Sequence, residues 1–169
     1  MIRALTLSPI GLLAFIASLA LTAFAVRKGL VAEDAVTLWA GAISAGGGDV
    51  PIGRIVASYP TLPFVITALL EFVAPSGTPT PALLAAGILG LLSCVWLRAF
   101  RAAGLSLAVS ASATLLIALH PAMLAACLGG AAEMFLVAFL YLLGAALFAL
   151  RARTAAPEVM AVADRKSVV

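Results

Sequence analysis

Charge is what this chain has least of. Seven acids and ten bases make up only 10% of its 169 residues, while 64% are hydrophobic, and the mean hydropathy is +1.22. A soluble domain of this length needs a polar skin, and there are too few polar residues to make one. The solvent of the chain is therefore largely lipid. Cysteine is almost as scarce. Cys94 and Cys127 lie in apolar surroundings, without a spacing pattern or a cluster of metal ligands around either. That argues against a disulfide framework and against a thiolate metal site, and leaves them as small packing residues. The net charge of +3 is no nucleic-acid signal, because lysine and arginine sit mostly in ones and twos at helix ends, where membrane topology accounts for them.

What is present is a set of apolar runs. Ser8–Val26 has no charge and is flanked by Arg3 and by Arg27-Lys28. Pro81–Leu97 ends at Arg98 and Arg101, and Ala102–Leu119 stops at His120-Pro121, where proline removes a backbone donor. Ala132–Leu150 carries one acid, Glu133, and runs into Arg151 and Arg153. As helices these runs cover about 26–29 Å each, close to a hydrocarbon core of roughly 30 Å. The backbone in lipid must satisfy its own hydrogen bonds, so the expected fold is all-α, a polytopic transmembrane helical protein with about four spans at 8–26, 81–97, 102–119 and 132–150. Ser8–Val26 reads as a retained anchor and not a cleaved signal, since its apolar run is long and cations follow it at once.

The 54 residues Arg27–Thr80 form one long loop. Within Val31–Ser44, the residues Val36, Trp39, Ala40 and Ile43 make one apolar helical stripe, which predicts a helix lying on the membrane surface. Gly46-Gly47-Gly48 ends it; without a following lysine or a strand–helix context it is a flexible loop and not a phosphate cradle. Thr61–Ala74 is mostly apolar but only about 21 Å long as a helix, which predicts an interfacial or re-entrant segment. If it does not cross, Arg3, Arg98/Arg101 and Arg151/Arg153 share one side, as the positive-inside rule asks. A five-span alternative strands only Arg3, and charge counting does not separate the two. Ser106, Ser110 and Thr114 form a close-packing stripe at four-residue spacing, and Trp96 and Tyr59 read as interface anchors.

The order of these features resembles a known group. An anchor is followed by an acid in a long outer loop, Val31-Ala32-Glu33-Asp34-Ala35; then come a surface helix and a Tyr59-Pro60-Thr61-Leu62-Pro63-Phe64 entry. After two spans a second acid opens a helix, Gly129-Gly130-Ala131-Ala132-Glu133. Over roughly Leu12–Arg153 this is similar to the N-terminal part of GT-C-type membrane glycosyltransferases, which include protein mannosyltransferases and aminoarabinose transferases. The resemblance implies transfer of a sugar from a polyprenyl-phosphate donor on the non-cytoplasmic side, with both acids facing the site. It departs from the group's pattern in having Pro60 and Pro63 in place of a Pro-Pro pair, and in lacking Asp-x-Asp.

The candidate site residues follow. Asp34, with Glu33 beside it, is the leading catalytic candidate, because glycosyl transfer needs a carboxylate to take a proton from an acceptor hydroxyl or to hold a divalent metal ion against the leaving phosphate. Both also stand where a helix dipole favours acids, and the same plain account covers Glu133. For the substrate, Arg54 offers a fork-shaped donor to a carrier phosphate or to lipid headgroups, with Tyr59 as a neighbour on the same loop. His120 is a proton relay, a phosphate contact or simply a helix end. Glu71 is expected at an interface with its carboxylate reaching water.

The last six residues, Asp164–Val169, resemble the translation of a short-read sequencing adapter, so the expected division is a transmembrane portion over 1–163 and a non-native tail over 164–169. The expectation is thus a fragment of a glycosyltransferase of a bacterial inner membrane, multi-pass, whose partners are the bilayer and the polyprenyl-phosphate donor. The fragment alone is expected to be inactive. A fragment of a transporter, for which the His120-Pro121 break is the one hint, and a small assembly or anchor subunit are the alternatives.

Overall fold

Small polar residues, proline and glycine set where the helices begin and end. A computed structural model describes residues 8–30, 32–47, 61–74 and 78–147. The described residues form helices α1 (Pro9–Arg27), α2 (Glu33–Gly47), α3 (Thr61–Glu71), α4 (Thr80–Ala102), α5 (Leu107–Ala118) and α6 (Pro121–Gly129), then α7 (Ala131–Leu147), and no strand. By contact the chain divides into Met1–Phe135 and Leu136–Val169. The first unit holds α1–α6 and the start of α7; the described part of the second is the helical stretch 136–147.

Ser8 caps α1 by accepting from the Gly11 amide at 3.1 Å, and Pro9 follows where a missing N–H is harmless. The helix stops at Gly29, whose φ of 68° is the left-handed turn that glycine adopts freely. There the Leu30 amide reaches back to the Ala25 carbonyl at 2.8 Å and the Gly29 amide to Val26 at 3.1 Å, closing the helix end. The same pair of bonds closes α4, from Leu105 to Phe100 and from Gly104 to Arg101, and the Arg101 guanidinium donates to the Leu105 carbonyl at 2.9 Å.

Helices α1 and α4 are long and apolar enough to cross a membrane. The third apolar segment, read from sequence as 102–119, starts instead at Leu107 and continues past the proline. Helices α5 and α6 are bent by 51° at His120 and together qualify as a third span if the bent pair is one span. The bend has a local cause. Pro121 has no N–H, and the Ala122 amide turns to His120 Nδ1 at 3.2 Å, so the helical ladder lapses there. Helix α3, at 11 residues, covers only about 16 Å.

The most extensive packing is between α1 and α4. The buried residues of α1 are Gly11, Ala14, Ser18, Thr22 and Ala25, a stripe of small side chains. Gly11 meets Gly90 backbone to backbone. A β-carbon on Gly90 would stand 3.2 Å from the Gly11 carbonyl oxygen, and one on Gly11 would strike Cys94 Sγ. Cys94 also lies 3.4 Å from the Ser8 amide and hydroxyl. Close backbone approach of this kind replaces the hydrophobic drive that lipid removes. Both cysteines are buried and free.

Helix α2 packs on α3 through Leu38, Ala42 and Phe64, joined by Ala131. The bundle-facing stripe is therefore Ala35, Leu38 and Ala42, one residue round from the stripe read in the sequence; Val36 and Ile43 are exposed. Trp96, read as an interface anchor, is buried instead. Ser110 and Thr114 are buried as their spacing suggested. The Thr114 hydroxyl serves its own helix, donating to the Ser110 carbonyl at 2.8 Å, while Ser106 caps α5.

Gly11 and Gly87 make a matched test of the seam. Gly11→Ala forces a carbon against the Gly90 carbonyl oxygen, 2.8 Å away, and is expected to cost about 1–3 kcal/mol. Gly87→Ala meets nothing within 4 Å and is expected to stabilise by about 0.5–1 kcal/mol through helix propensity. Thermal unfolding in detergent, followed by helical circular dichroism, reads both; a Gly11→Ala midpoint at or above wild type would contradict the packing described.

Candidate functional site

The N-terminal turns of α2 and α7 come together at one end of the first unit. The contact that joins them is between Ala35 and Gly130. A β-carbon on Gly130 would lie 3.1 Å from Ala35 Cβ and 3.8 Å from Pro81 Cβ, and Gly130 holds φ 98° and ψ −161°, a backbone region open essentially to glycine alone. Asp34 is the residue before Ala35, and Glu133 is one turn beyond Gly130. The three predicted catalytic acids thus sit on helix starts that touch.

Glu33 and Asp34 are both exposed in the first turn of α2. Neither carboxylate caps the helix: the Ala32 carbonyl accepts from the Ala35 and Val36 amides at 3.1 and 3.2 Å, and the Glu33 carbonyl accepts from the Thr37 hydroxyl at 2.7 Å. Among the described residues neither carboxylate has a hydrogen-bond or ion-pair partner, and the helix dipole favours the charge of both. Glu133 is exposed as well, and its carboxylate folds back over Gly129, where any β-carbon would collide with it. The glycine pair thus does two things: Gly129 makes room for the acid, and Gly130 makes room for α2.

The other candidates fall elsewhere. Arg54 and Tyr59 lie outside the described residues. His120 is exposed and caps α6; the nine residues of α6, about 14 Å at helical rise, separate it from Gly130. Glu71 accepts a 2.7 Å hydrogen bond from the buried Thr80 hydroxyl. It ties the end of α3 to the first turn of α4, which has no side-chain cap of its own. Among the described residues no three of histidine, cysteine, aspartate and glutamate converge. These residues alone do not make a metal cage around Asp34.

Sequence reasoning passed over the walls of this end. A cavity of about 130 Å³ lies under α2, bounded by Thr22, Trp39, Pro81 and Leu128 among others. The Trp39 indole N–H is buried and has no hydrogen-bond partner among the described residues. The signal was present in Trp39 itself, an indole on a helix whose stripe was assigned to lipid. Comparisons with protein-family models, with curated proteins and with solved structures give no match to this chain.

The Ala35–Gly130 contact is testable against Gly29, which shares its left-handed φ but has open space around it. Gly130→Ala combines backbone strain with a clash and is expected to lower stability by about 1–3 kcal/mol. Gly29→Asn, placing a residue that tolerates this conformation, is expected to be nearly neutral. Equal unfolding midpoints for the two variants would mean that α2 does not rest on Gly130.

Proposed function

We propose that this chain is the N-terminal part of a GT-C-type membrane glycosyltransferase, acting on the non-cytoplasmic side of a bacterial inner membrane with a polyprenyl-phosphate sugar as donor. The observation that carries the reading is the meeting of Ala35 with Gly130, because the resemblance asks that an acid of the first loop and an acid opening a later helix face one site. In the proposed reaction Asp34 takes the proton of the acceptor hydroxyl as its oxygen attacks the anomeric carbon. The carrier phosphate leaves with the electron pair of the broken glycosidic bond. Glu33 and Glu133 shape the field around that step, and Arg54 and Tyr59 remain the proposed donor contacts; His120, the length of α6 away from Gly130, serves as the cap of that helix.

The proposal carries a four-span topology, with the spans read from the sequence at 8–26, 81–97, 102–119 and 132–150. Supporting it, Arg27 at the end of α1 and Thr78-Pro79 at the start of α4 line one groove. The loop between them therefore leaves and returns at the same end, as it does if α2 and α3 stay in an outer loop. Exposed Val36 and Ile43 then face lipid headgroups. A reporter active only outside the cytoplasm is expected to be active when inserted at Gly47 and silent at Gly104. A silent Gly47 fusion would put Glu33 and Asp34 on the cytoplasmic side and remove the proposal's geometric basis.

Asp34→Asn in the full-length protein tests the chemistry. Loss of a helix-start acid costs only about 0.3–1 kcal/mol, so expression and insertion are expected to be normal. Loss of a general base lowers the rate by about 10²–10⁴-fold, read as sugar transfer from a polyprenyl-phosphate donor in membranes. Wild-type transfer by both Asp34→Asn and Glu33→Gln would exclude the two acids from catalysis.

The 51° break in α5–α6 favours a second reading, a fragment of a transporter with a discontinuous helix. An uninterrupted reading frame with a soluble outer domain favours the transferase, and an inverted repeat of this helix pattern favours the transporter.

A further inference from the structure

Two apolar cavities lie side by side where α1 finishes. The smaller, about 130 Å³, runs inward beneath Ala35 and Trp39 to Leu128. The larger, about 430 Å³, runs down between α1 and α4 past Leu19, Ala23 and Leu83. Thr22, Val26, Pro79 and Ala82 wall both, so the two are limbs of one forked space. The larger limb alone is within the roughly 300–1,000 Å³ typical of small-molecule sites.

The polar residues in the walls of this fork are few: Thr22, Trp39, Thr78 and Arg27. The Thr22 hydroxyl donates to its own helix, to the Ser18 carbonyl at 2.9 Å. Arg27 stands at the mouth of the larger limb, and among the described residues it has no acid partner. From Arg27 to Leu19 is about 12 Å along the helix. A cation at the end of an apolar span sits at headgroup level, and a groove leading from it along the helix leads toward the bilayer centre. One cation at the mouth and two apolar limbs leading away match a ligand with one anionic head and two chains. A polyprenyl phosphate has a single chain and would leave one limb empty.

From this geometry we infer that the fork holds an anionic glycerophospholipid, its phosphate on Arg27, one acyl chain between α1 and α4, and the other reaching under α2. The bound lipid fills space that no side chain of the described residues fills between α1, α2 and α4, and so braces the seat of α2. The inference is independent of the transferase reading, since none of the candidate acids lines either limb.

The test uses the 169-residue chain in nanodiscs with phosphatidylglycerol carrying a photoactivatable group in one acyl chain, and adducts mapped by peptide mass. Adducts are expected within Leu19–Ala23 and at Ala82-Leu83, with only background from the phosphatidylcholine analogue, whose headgroup has no net charge. Arg27→Gln is expected to lower labelling about fivefold, the effect of about one basic residue at an anionic surface, and Arg27→Lys to keep it. Ala82→Phe, which fills the wall shared by the limbs, is expected to abolish labelling at Leu19–Ala23 while helical content stays at the wild-type level. Equal labelling of the wild-type chain by the two lipids would overturn the inference without recourse to any variant. Displacement of phosphatidylglycerol by an equimolar polyprenyl phosphate would also overturn it, and would assign the fork to a sugar carrier.

Discussion

The rest of the structure depends on how closely α1 and α4 approach. In lipid the apolar face of a helix gains nothing by leaving its solvent, so association must come from contact density. Gly11 and Gly90 provide it by removing side chains where the backbones meet, and Cys94 fills the gap beside them. With that seam fixed, the end of α1 and the start of α4 are neighbours. Everything between them must leave and return at the same place. The seats of α2 and α3, the Glu71–Thr80 bond and the forked cavity all follow from that closure.

Small residues therefore play two different parts along the chain. At the seam they bring helices together. At Gly129-Gly130 they keep a junction open enough for a carboxylate on one side and a second helix on the other. The catalytic proposal rests on the second part, but the second part exists only because the first holds α4, and with it Pro81, against which Gly130 lies.

Helix ends were the most legible feature of the sequence. Arg27-Lys28, His120-Pro121 and Gly129-Gly130 each mark a real terminus, because charge, a missing donor and a left-handed backbone act within a few residues of themselves. The inward face of α2 was not legible in the same way. A stripe of large apolar residues signals burial in water, but in lipid such residues are equally at home outside. Ala35 and Ala42, which permit close approach, mark the protein side, while Val36 and Ile43 turn away. Trp96 misled for the same reason: an indole near a span end suits an interface, yet here it is packed within the bundle. The cavity under Trp39 was beyond reach, since its walls come from four helices that only the fold brings together.

Helix α6 is a nine-residue rod with a joint at each end. At His120-Pro121 the ladder of hydrogen bonds has already lapsed, and at Gly130 the chain passes through a conformation without helical continuity. Tilting the rod breaks no helical bond at either joint. Its far end carries Leu128 in the cavity wall and leads directly into Gly130 beneath Ala35. One short helix thus borders the volume under α2 at Leu128 and leads, through the glycine pair, to the turn that carries Glu133.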